Sequence, residues 1–317
     1  MYFALAVSVL ADLVLSALAG PLSRRLKPAD TVRLLSVAGL CAALATGFAL
    51  WEVAFSQLAQ IPWLADAGHW SAAVLHATNP VPRLVGPPAG AAVMVLTGMA
   101  VRRAVLAVRD LWDAQQAGRD LGGEASGLVV VDDPRPDAYA LPGMRGRVVV
   151  STAMLRALPA AERRVLLAHE ASHLRHRHHL YVLAVELTAA ANPLLRRVAT
   201  VVRAEVERWA DEDAASDVGD RRLAARALAR AALARSRPGT ADLRPRRAAN
   251  GLSLRMGENA VVGRVRALLA PAPLHGRIVE TLAVASILVA VVAVNVDAGQ
   301  DTDSLFDHAQ AVYEVSR

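Results

Sequence analysis

The chain contains very little cysteine and lysine. Cys41 is the only cysteine among 317 residues and lies in an apolar run, so neither an internal disulfide nor a thiolate zinc site can form. Lys27 is the only lysine, and the basic charge comes almost entirely from arginine, a composition typical of a GC-rich genome. The formal net charge of +6 is therefore not evidence for nucleic-acid binding.

Aromatic residues are also scarce, at 4% of the chain. The arginine-rich segments 221–236 and 244–255 contain no aromatic residues between their arginines, and such residues are the usual stacking platforms for bases. Segment 221–236 has the pattern of a basic amphipathic helix, which favours a position beside anionic lipid. We therefore expect no nucleic-acid partner.

Apolar residues, in contrast, make up 54% of the chain, and the mean hydropathy is +0.32. Four apolar runs approach the roughly 20 residues that a helix needs to cross a bilayer. The third run is the weakest, because Pro87 and Pro88 lie in its first turn. The first run is interpreted as a retained anchor, because it lacks a basic segment before it and is followed at once by arginines. The predicted spans are about 2–19, 34–51, 84–101 and 278–296.

The charges of the loops predict how these spans are oriented in the bilayer. Loop 21–33 carries four basic residues and three arginines follow the third span, whereas loop 52–83 carries one arginine and the tail is acidic. We therefore expect the N-terminus and the C-terminus outside the cell and the segment between spans three and four in the cytoplasm. The predicted domains are a membrane domain over 1–109, a cytoplasmic domain over 110–276, a fourth transmembrane helix over 277–297 and a short extracytoplasmic tail over 298–317.

Asp12 places a carboxylate inside the first predicted span. A charged group in a bilayer usually faces the bundle interior and pairs with a polar neighbour. We expect that arrangement for Asp12, and a role in handling an ion or substrate is the alternative.

The segment between the third and fourth spans predicts a small sheet followed by helices. Short apolar stretches at 127–131, 137–141 and 146–150 alternate with turn residues, as strands do. Ser151 is a candidate cap for a short helix, and Pro159 opens a longer helix that we expect to carry His169 to His179. Further helices are predicted at about 180–191, 194–217 and 221–236.

The predicted helix after Pro159 contains the motif H-E-x-x-H. His169 and His173 are four residues apart and therefore lie on one helix face, where two imidazoles can bind one zinc ion. Glu170 lies beside them and is the candidate general base for a metal-bound water. The sequence therefore predicts a single catalytic zinc ion.

The third protein ligand has several candidates. Glu207 is favoured, because Asp211 follows it by one helical turn and could fix the ring of a ligating histidine. Glu205 and His179 are the alternatives. His179 has the spacing of a third histidine in H-E-x-x-H-x-x-G-x-x-H, but His176 occupies the position of the glycine that bends that motif. We expect His176, His178 and His179 to form a solvated basic helix end near the membrane, and a substrate or oxyanion role for one of them is the alternative.

Several segments together resemble the BlaR/MecR-type membrane metallopeptidases, which are gluzincins related to the HtpX and CAAX-prenyl endopeptidases. The resemblance covers about residues 85–297 and is most specific over 128–215. The similar segments are DAYALPG at 137–143, RVVVSTAML at 147–155, PAAERRVLLAHEASHLRHRHH at 159–179, ERWADEDAA at 207–215 and VVGRVRALL at 261–269.

The resemblance implies a mainly α, multi-pass protein of a bacterial cell membrane, with four transmembrane helices and a zincin-like α+β metalloprotease domain. It implies zinc bound by His169, His173 and Glu207, with Glu170 as general base. It also implies that Asp211 contacts a ligand of the zinc without binding the ion itself. It further implies that an edge strand near 137–141 holds the substrate backbone.

The chain departs from the antibiotic-sensing members of that family in one respect. Those members use a Ser-x-x-Lys nucleophile, and position 24, three residues before the only lysine, is Arg24. The expected function is zinc-dependent hydrolysis of a cytoplasmic or membrane-proximal protein, with a transcriptional repressor as the substrate suggested by the resemblance. A quality-control protease for membrane proteins and a catalytically silent zinc-containing signalling scaffold are the alternatives.

Overall fold

The computed structural model describes residues 2–78, 84–120, 127–143, 146–236, 258–271 and 278–315. The arginines at 244–255 and the predicted boundary at 276–277 lie outside these residues. Twelve helices and three strands are present in the described part. The helices are α1 (Tyr2–Arg25), α2 (Pro28–Leu58), α3 (Pro62–Gly68), α4 (Ala72–Thr78), α5 (Gly86–Asp120), α6 (Thr152–Ala157), α7 (Ala160–Arg175), α8 (His178–Ala191), α9 (Arg196–Val218), α10 (Arg221–Arg235), α11 (Glu258–Leu269) and α12 (Ile278–Val315), and the strands are β1 (Leu128–Val131), β2 (Ala138–Leu141) and β3 (Arg147–Ser151).

Four of these helices are long and apolar enough to cross a membrane. They are α1, α2, α5 and α12; α1, α2 and α12 contain their predicted spans, and α5 begins two residues after the start of the predicted span 84–101. Each is longer than the run that predicted it, because the helix continues into polar sequence. The division into domains and the sides of the membrane remain predictions.

The α8–α9 pair packs against the long helices instead of standing apart from them. One apolar core joins α1, α2, α8, α9 and α12, and its fully buried members include Leu35, Val185 and Val198. The 3-10 turn Pro193–Leu195 connects α8 to α9. The α8–α9 pair and the long helices α1, α2 and α12 therefore share a core.

Asp12 anchors this connection, and its predicted pairing is confirmed. The Asp12 side chain is fully buried in α1. Its Oδ2 accepts a hydrogen bond from Thr46 of α2 at 2.6 Å and another from Asn192 at 2.7 Å. Ser16, one turn further along α1, donates to the carbonyl of Leu194 at 2.5 Å. Polar bonds thus fix the α8–α9 connection to α1 and α2.

The three predicted strands form one sheet in the order β1-β3-β2. β1 pairs with β3 in parallel and β2 pairs with β3 in antiparallel, with Ala138 opposite Val150 and Leu141 opposite Arg147. Within the described residues, β2 has a strand partner on one side only. β2 is therefore an edge strand, as the resemblance implied.

The helices after the sheet begin where the sequence predicted. Ser151 ends β3 and caps α6, since its hydroxyl accepts from the backbone N–H of Met154 at 3.1 Å. The same hydroxyl accepts from the N–H of Asp137 at 2.9 Å, which joins the cap to the start of β2. Pro159 precedes α7, where a fixed φ suits the start of a helix.

The expected continuous helix through His179 is wrong. α7 ends at Arg175, and Arg177 adopts a left-handed conformation with φ of 51° before α8 begins at His178. The sequence reasoning assumed that only glycine would allow a sharp bend here, because side chains disfavour positive φ. The bend is nevertheless made by an arginine.

Candidate metal centre

Two helices bring three metal-ligating side chains together. His169 and His173 lie on one face of α7, and Glu207 reaches them from α9. The Nε2 atoms of the two histidines are 3.2 Å apart. The Glu207 carboxylate oxygens lie 3.7 Å from Nε2 of His169 and 3.6 Å from Nε2 of His173. The three predicted ligands thus form one cluster.

The spacing of these atoms fits a tetrahedral zinc ion. Ligand atoms about 2.0–2.1 Å from such an ion lie roughly 3.3 Å from one another. Two imidazole nitrogens and one carboxylate oxygen are also the donor set of catalytic zinc sites that keep one position for water. The residues present therefore fit zinc.

The Nδ1 atoms of His169 and His173, which do not face Glu207, each contact another polar side chain. Nδ1 of His169 lies 3.1 Å from Oδ1 of Asp211, one turn after Glu207 on α9. Nδ1 of His173 lies 2.9 Å from Nδ1 of His178, the first residue of α8. Both Nε2 atoms are consequently left to face Glu207.

Arg264 of α11 closes the back of the site. Its guanidinium donates two hydrogen bonds of 2.6 Å to the two oxygens of Asp211 and lies 2.8 Å from Oε2 of Glu207. The side chains of Arg264 and Asp211 are 10% and 6% exposed, so water screens this ion pair little. Arg264 therefore fixes both carboxylates of α9 in place.

Glu170 faces the same cavity as the three ligands. This cavity, of about 960 Å³, is lined by α7, β2, α9, α10 and α11. Glu170 is only 7% exposed, and burial raises the pKa of its carboxyl above the usual value. A carboxylate with a raised pKa is a better proton acceptor than a solvated one.

Burial and the neighbouring charges shift the pKa values of the ligands and of Asp211. Burial lowers the pKa of His173 to about 4, so this imidazole is neutral near pH 7 and its Nε2 is free to bind a metal. Burial alone would raise the pKa of Asp211, but Arg264 outweighs it and holds that pKa at about 2. Glu207 is likewise held below its usual pKa by Arg264 and the two histidines against the effect of burial.

Neither of the two alternative ligands belongs to the cluster of His169, His173 and Glu207 in the described residues. Glu205 is buried and binds Arg208, one turn along the same helix, at 2.8 Å. His179 does not belong to the ligand cluster in the described part of the chain. Glu207 is therefore the candidate that the structure brings to His169 and His173.

The expectation of a solvated histidine cluster is wrong for His178, and His176 is only partly exposed. His178 is 1% exposed and packs against Trp209 with ring centroids 4.7 Å apart. His176 lies 2.8 Å from Asp213, which also accepts a 2.7 Å hydrogen bond from Ser172. Both histidines join neighbouring helices, His178 from the buried interior and His176 from a partly exposed position.

Sequence reasoning did not assign a role to Arg264 and misassigned His178. Arg264 lies within VVGRVRALL, a segment that contributed to the resemblance without a function attached to it. It belongs to a helix that the residue pattern did not predict, 57 residues after Glu207. For His178, the left-handed Arg177 carries no sequence signal, so the turn could not be foreseen.

The site combines an H-E-x-x-H motif on one helix, a glutamate from a second helix and a neighbouring edge strand. This combination is typical of the gluzincin class of metallopeptidases. Comparison with protein families agrees: the model of peptidase family M48 matches residues 113–282, more than half of the chain. The chain belongs to peptidase family M48. Members of this family depend on a metal, usually zinc. Comparisons with curated proteins and with solved structures gave no match.

Proposed function

We propose that the protein is a membrane-embedded zinc endopeptidase that hydrolyses protein chains at the membrane surface. The observation that carries this proposal is the meeting of three ligand atoms and the buried Glu170 carboxylate in one cavity. His169, His173 and Glu207 would hold the ion. A structural zinc site needs four protein ligands and no base, whereas this cluster offers three ligands and a base.

The chemistry divides between the ion and the chain. A bound zinc ion would lower the pKa of its water and polarise the scissile carbonyl. Glu170 takes the proton of the attacking water and later delivers it to the leaving amine. Asp211 and Arg264 hold His169 and Glu207 in place throughout.

The free edge of β2 is the proposed binding surface for the substrate backbone. The carbonyl of Asp137 accepts a hydrogen bond from the N–H of Ser151 in β3. In an antiparallel pair, every second residue directs its N–H and C=O away from the neighbouring strand. The N–H and C=O of Ala138 and Ala140 therefore point away from β3. The Ala138 carbonyl already accepts a 3.1 Å hydrogen bond from Arg235. Ala140 is therefore the edge residue best placed to pair with an extended peptide.

The segments that resemble BlaR/MecR-type peptidases support a signalling role in which the substrate is a cytoplasmic repressor. The shared core supports control of the peptidase activity through the membrane helices. In this core, α1 and α2 pack directly against α8 and α9, and α9 carries Glu207. A housekeeping function against damaged membrane proteins would require the same site.

A metal-depletion experiment tests the proposed function. The full chain is purified in detergent, stripped with a chelator and assayed for cleavage of an unfolded protein and of itself. We expect activity to disappear with the metal and to return with one equivalent of zinc. Cleavage that persists in the stripped protein would contradict the proposal, as would a reconstituted protein that cleaves nothing.

A further inference from the structure

His178 contacts the proposed zinc ligand His173 on the ring nitrogen that does not face Glu207. Their Nδ1 atoms are 2.9 Å apart, and the two rings are nearly perpendicular, at 85°. We infer that His178 is a positioning residue that holds the His173 ring by accepting its Nδ1–H, and so fixes Nε2 toward the metal. This inference rests on the proposed zinc site and adds a residue to it.

The proton arrangement follows from the chemistry of imidazole. When Nε2 of His173 binds a metal, its ring proton is on Nδ1, so Nδ1 must donate. His178 Nδ1 must then accept, and the proton of the neutral His178 ring is on Nε2. Nε2 of His178 is buried and has no hydrogen-bond partner among the residues that the structure describes. The Nε2–H donor is thus left unpaired while Nδ1 faces His173. Buried donors are normally hydrogen-bonded, so this exception requires an explanation.

The surroundings of His178 prevent its ring from turning away. The ring contacts Trp209, at 4.7 Å between centroids, and His176, which is stacked on it at 5.6 Å, and these two neighbours are themselves 4.5 Å apart. The side chain is 1% exposed. A buried ring packed against two aromatic neighbours offers its acceptor in one fixed direction, which is what an orienting partner of a metal ligand needs.

The backbone conformation supports the same role. α7 ends two residues before Arg177, whose φ of 51° and ψ of 45° are strained for a residue with a side chain. That single turn starts α8 at His178 and brings its ring back against His173. Strain of this kind persists where the surrounding structure requires it, commonly at functional sites. The strained turn and the unpaired Nε2 are independent observations, and both are explained by the contact with His173.

The contact also distinguishes the two histidine ligands. His169 donates to the charged carboxylate of Asp211, which Arg264 in turn holds, whereas His173 has a neutral partner. Removing the partner of His173 should therefore loosen one ligand and leave the other ligands in place.

The test compares zinc affinity in His178→Phe and His178→Asn. Phenylalanine keeps a flat ring but has no acceptor, whereas the amide oxygen of asparagine can replace Nδ1 as acceptor. Zinc dissociation constants are measured by competition with a chelator on the full chain in detergent, and the cobalt-substituted proteins give visible spectra of the metal site. We expect His178→Phe to weaken zinc binding by about 10- to 100-fold and to alter the cobalt spectrum. His178→Asn should retain the wild-type spectrum and most of the affinity.

The control is His179→Phe, because His179 is the next residue of α8 and lies outside the ligand cluster. It should bind zinc like the wild type. His178→Leu replaces the phenylalanine variant if the latter does not fold. Wild-type affinity and spectrum in the variants without an acceptor would overturn the inference, and so would an asparagine variant as weak as they are. A wild type that binds no zinc, or a His169→Ala protein that binds it equally well, would instead overturn the zinc site itself.

Discussion

Glu207 and His179 differ in how the chain delivers them to the two histidines of α7. Glu207 comes from a separate helix, so its distance from His169 is set by the packing of α9 on α7. His179 lies beyond the turn at Arg177 and follows the direction of α8. At the scale of single residues, the metal site therefore depends on helix packing as well as on sequence spacing.

Substitution of the ligands should separate these candidates. His173→Ala and Glu207→Ala should each abolish stoichiometric zinc, because two protein ligands hold the ion too weakly. His179→Ala and Glu205→Ala should retain it. Metal analysis of the purified proteins gives the answer, and zinc lost from His179→Ala but kept in Glu207→Ala would show that the third ligand is misassigned.

Arg264 is predicted to stabilise the metal-free protein strongly. Its removal leaves the buried carboxylates of Glu207 and Asp211 without a cation, and breaking a buried ion pair from one side typically costs about 3–5 kcal/mol. Arg264→Met should therefore lower the free energy of unfolding of the chelator-treated protein by that amount. Zinc should reduce the loss, because the ion supplies positive charge to the Glu207 carboxylate.

Arg175→Met is the matched control for Arg264. Arg175 pairs with Asp217 at 2.9 Å, but the two side chains are 48% and 43% exposed. A surface pair contributes about 0–1 kcal/mol, so this substitution should change stability little. Equal losses in the two variants would contradict the role given to Arg264.

At the scale of secondary structure, the turn between α7 and α8 is the element that departs most from expectation. Arg177→Val should destabilise the protein, because a β-branched residue resists the left-handed conformation and such strain costs about 1–3 kcal/mol. Arg177→Gly should be tolerated, since glycine adopts positive φ without strain. Thermal unfolding in detergent measures both, and a valine variant as stable as the glycine variant would argue against strain at this turn.

The edge of β2 supplies a second prediction at this scale. Ala140→Pro removes an N–H that points away from β3, and proline is tolerated on the open side of an edge strand. The fold should survive, while loss of one backbone hydrogen bond to substrate should reduce kcat/KM by about 3- to 10-fold. Tyr139→Pro is the contrast, because it removes an N–H that pairs with β3 and should destabilise the sheet. Unchanged kcat/KM in Ala140→Pro would exclude strand addition at this residue.

Local patterns predicted the elements, and contacts between distant segments completed the site. The strands, the Ser151 cap and the His169–His173 pair depend on neighbours in sequence, so their spacing was sufficient to find them. Glu207 could be identified as a candidate ligand because a second carboxylate, Asp211, follows it after one helical turn. Arg264 and the burial of His178 depend on how α8, α9 and α11 pack, and a turn formed by arginine instead of glycine gives no local signal.

At the scale of the whole molecule, the protein joins a peptidase site to long apolar helices through a common core. Arginine asymmetry predicts that residues 102–277 are cytoplasmic and that both termini are outside. Reporter domains fused after Arg109 and at the C-terminus should therefore report opposite sides of the membrane. Fusions that report the same side would contradict an arrangement of four spans.

The central claim is that Glu170 performs hydrolysis at a metal that other residues hold, and Glu170→Gln tests it most directly. Zinc content and cleavage, of the protein itself or of a co-expressed candidate repressor, are measured in the same preparations of wild type and variant. Because the substitution removes the proton acceptor and no ligand, we expect nearly full zinc and a loss of activity at the upper end of about 100- to 10,000-fold. A Glu170→Gln protein with full zinc and undiminished cleavage would contradict the account.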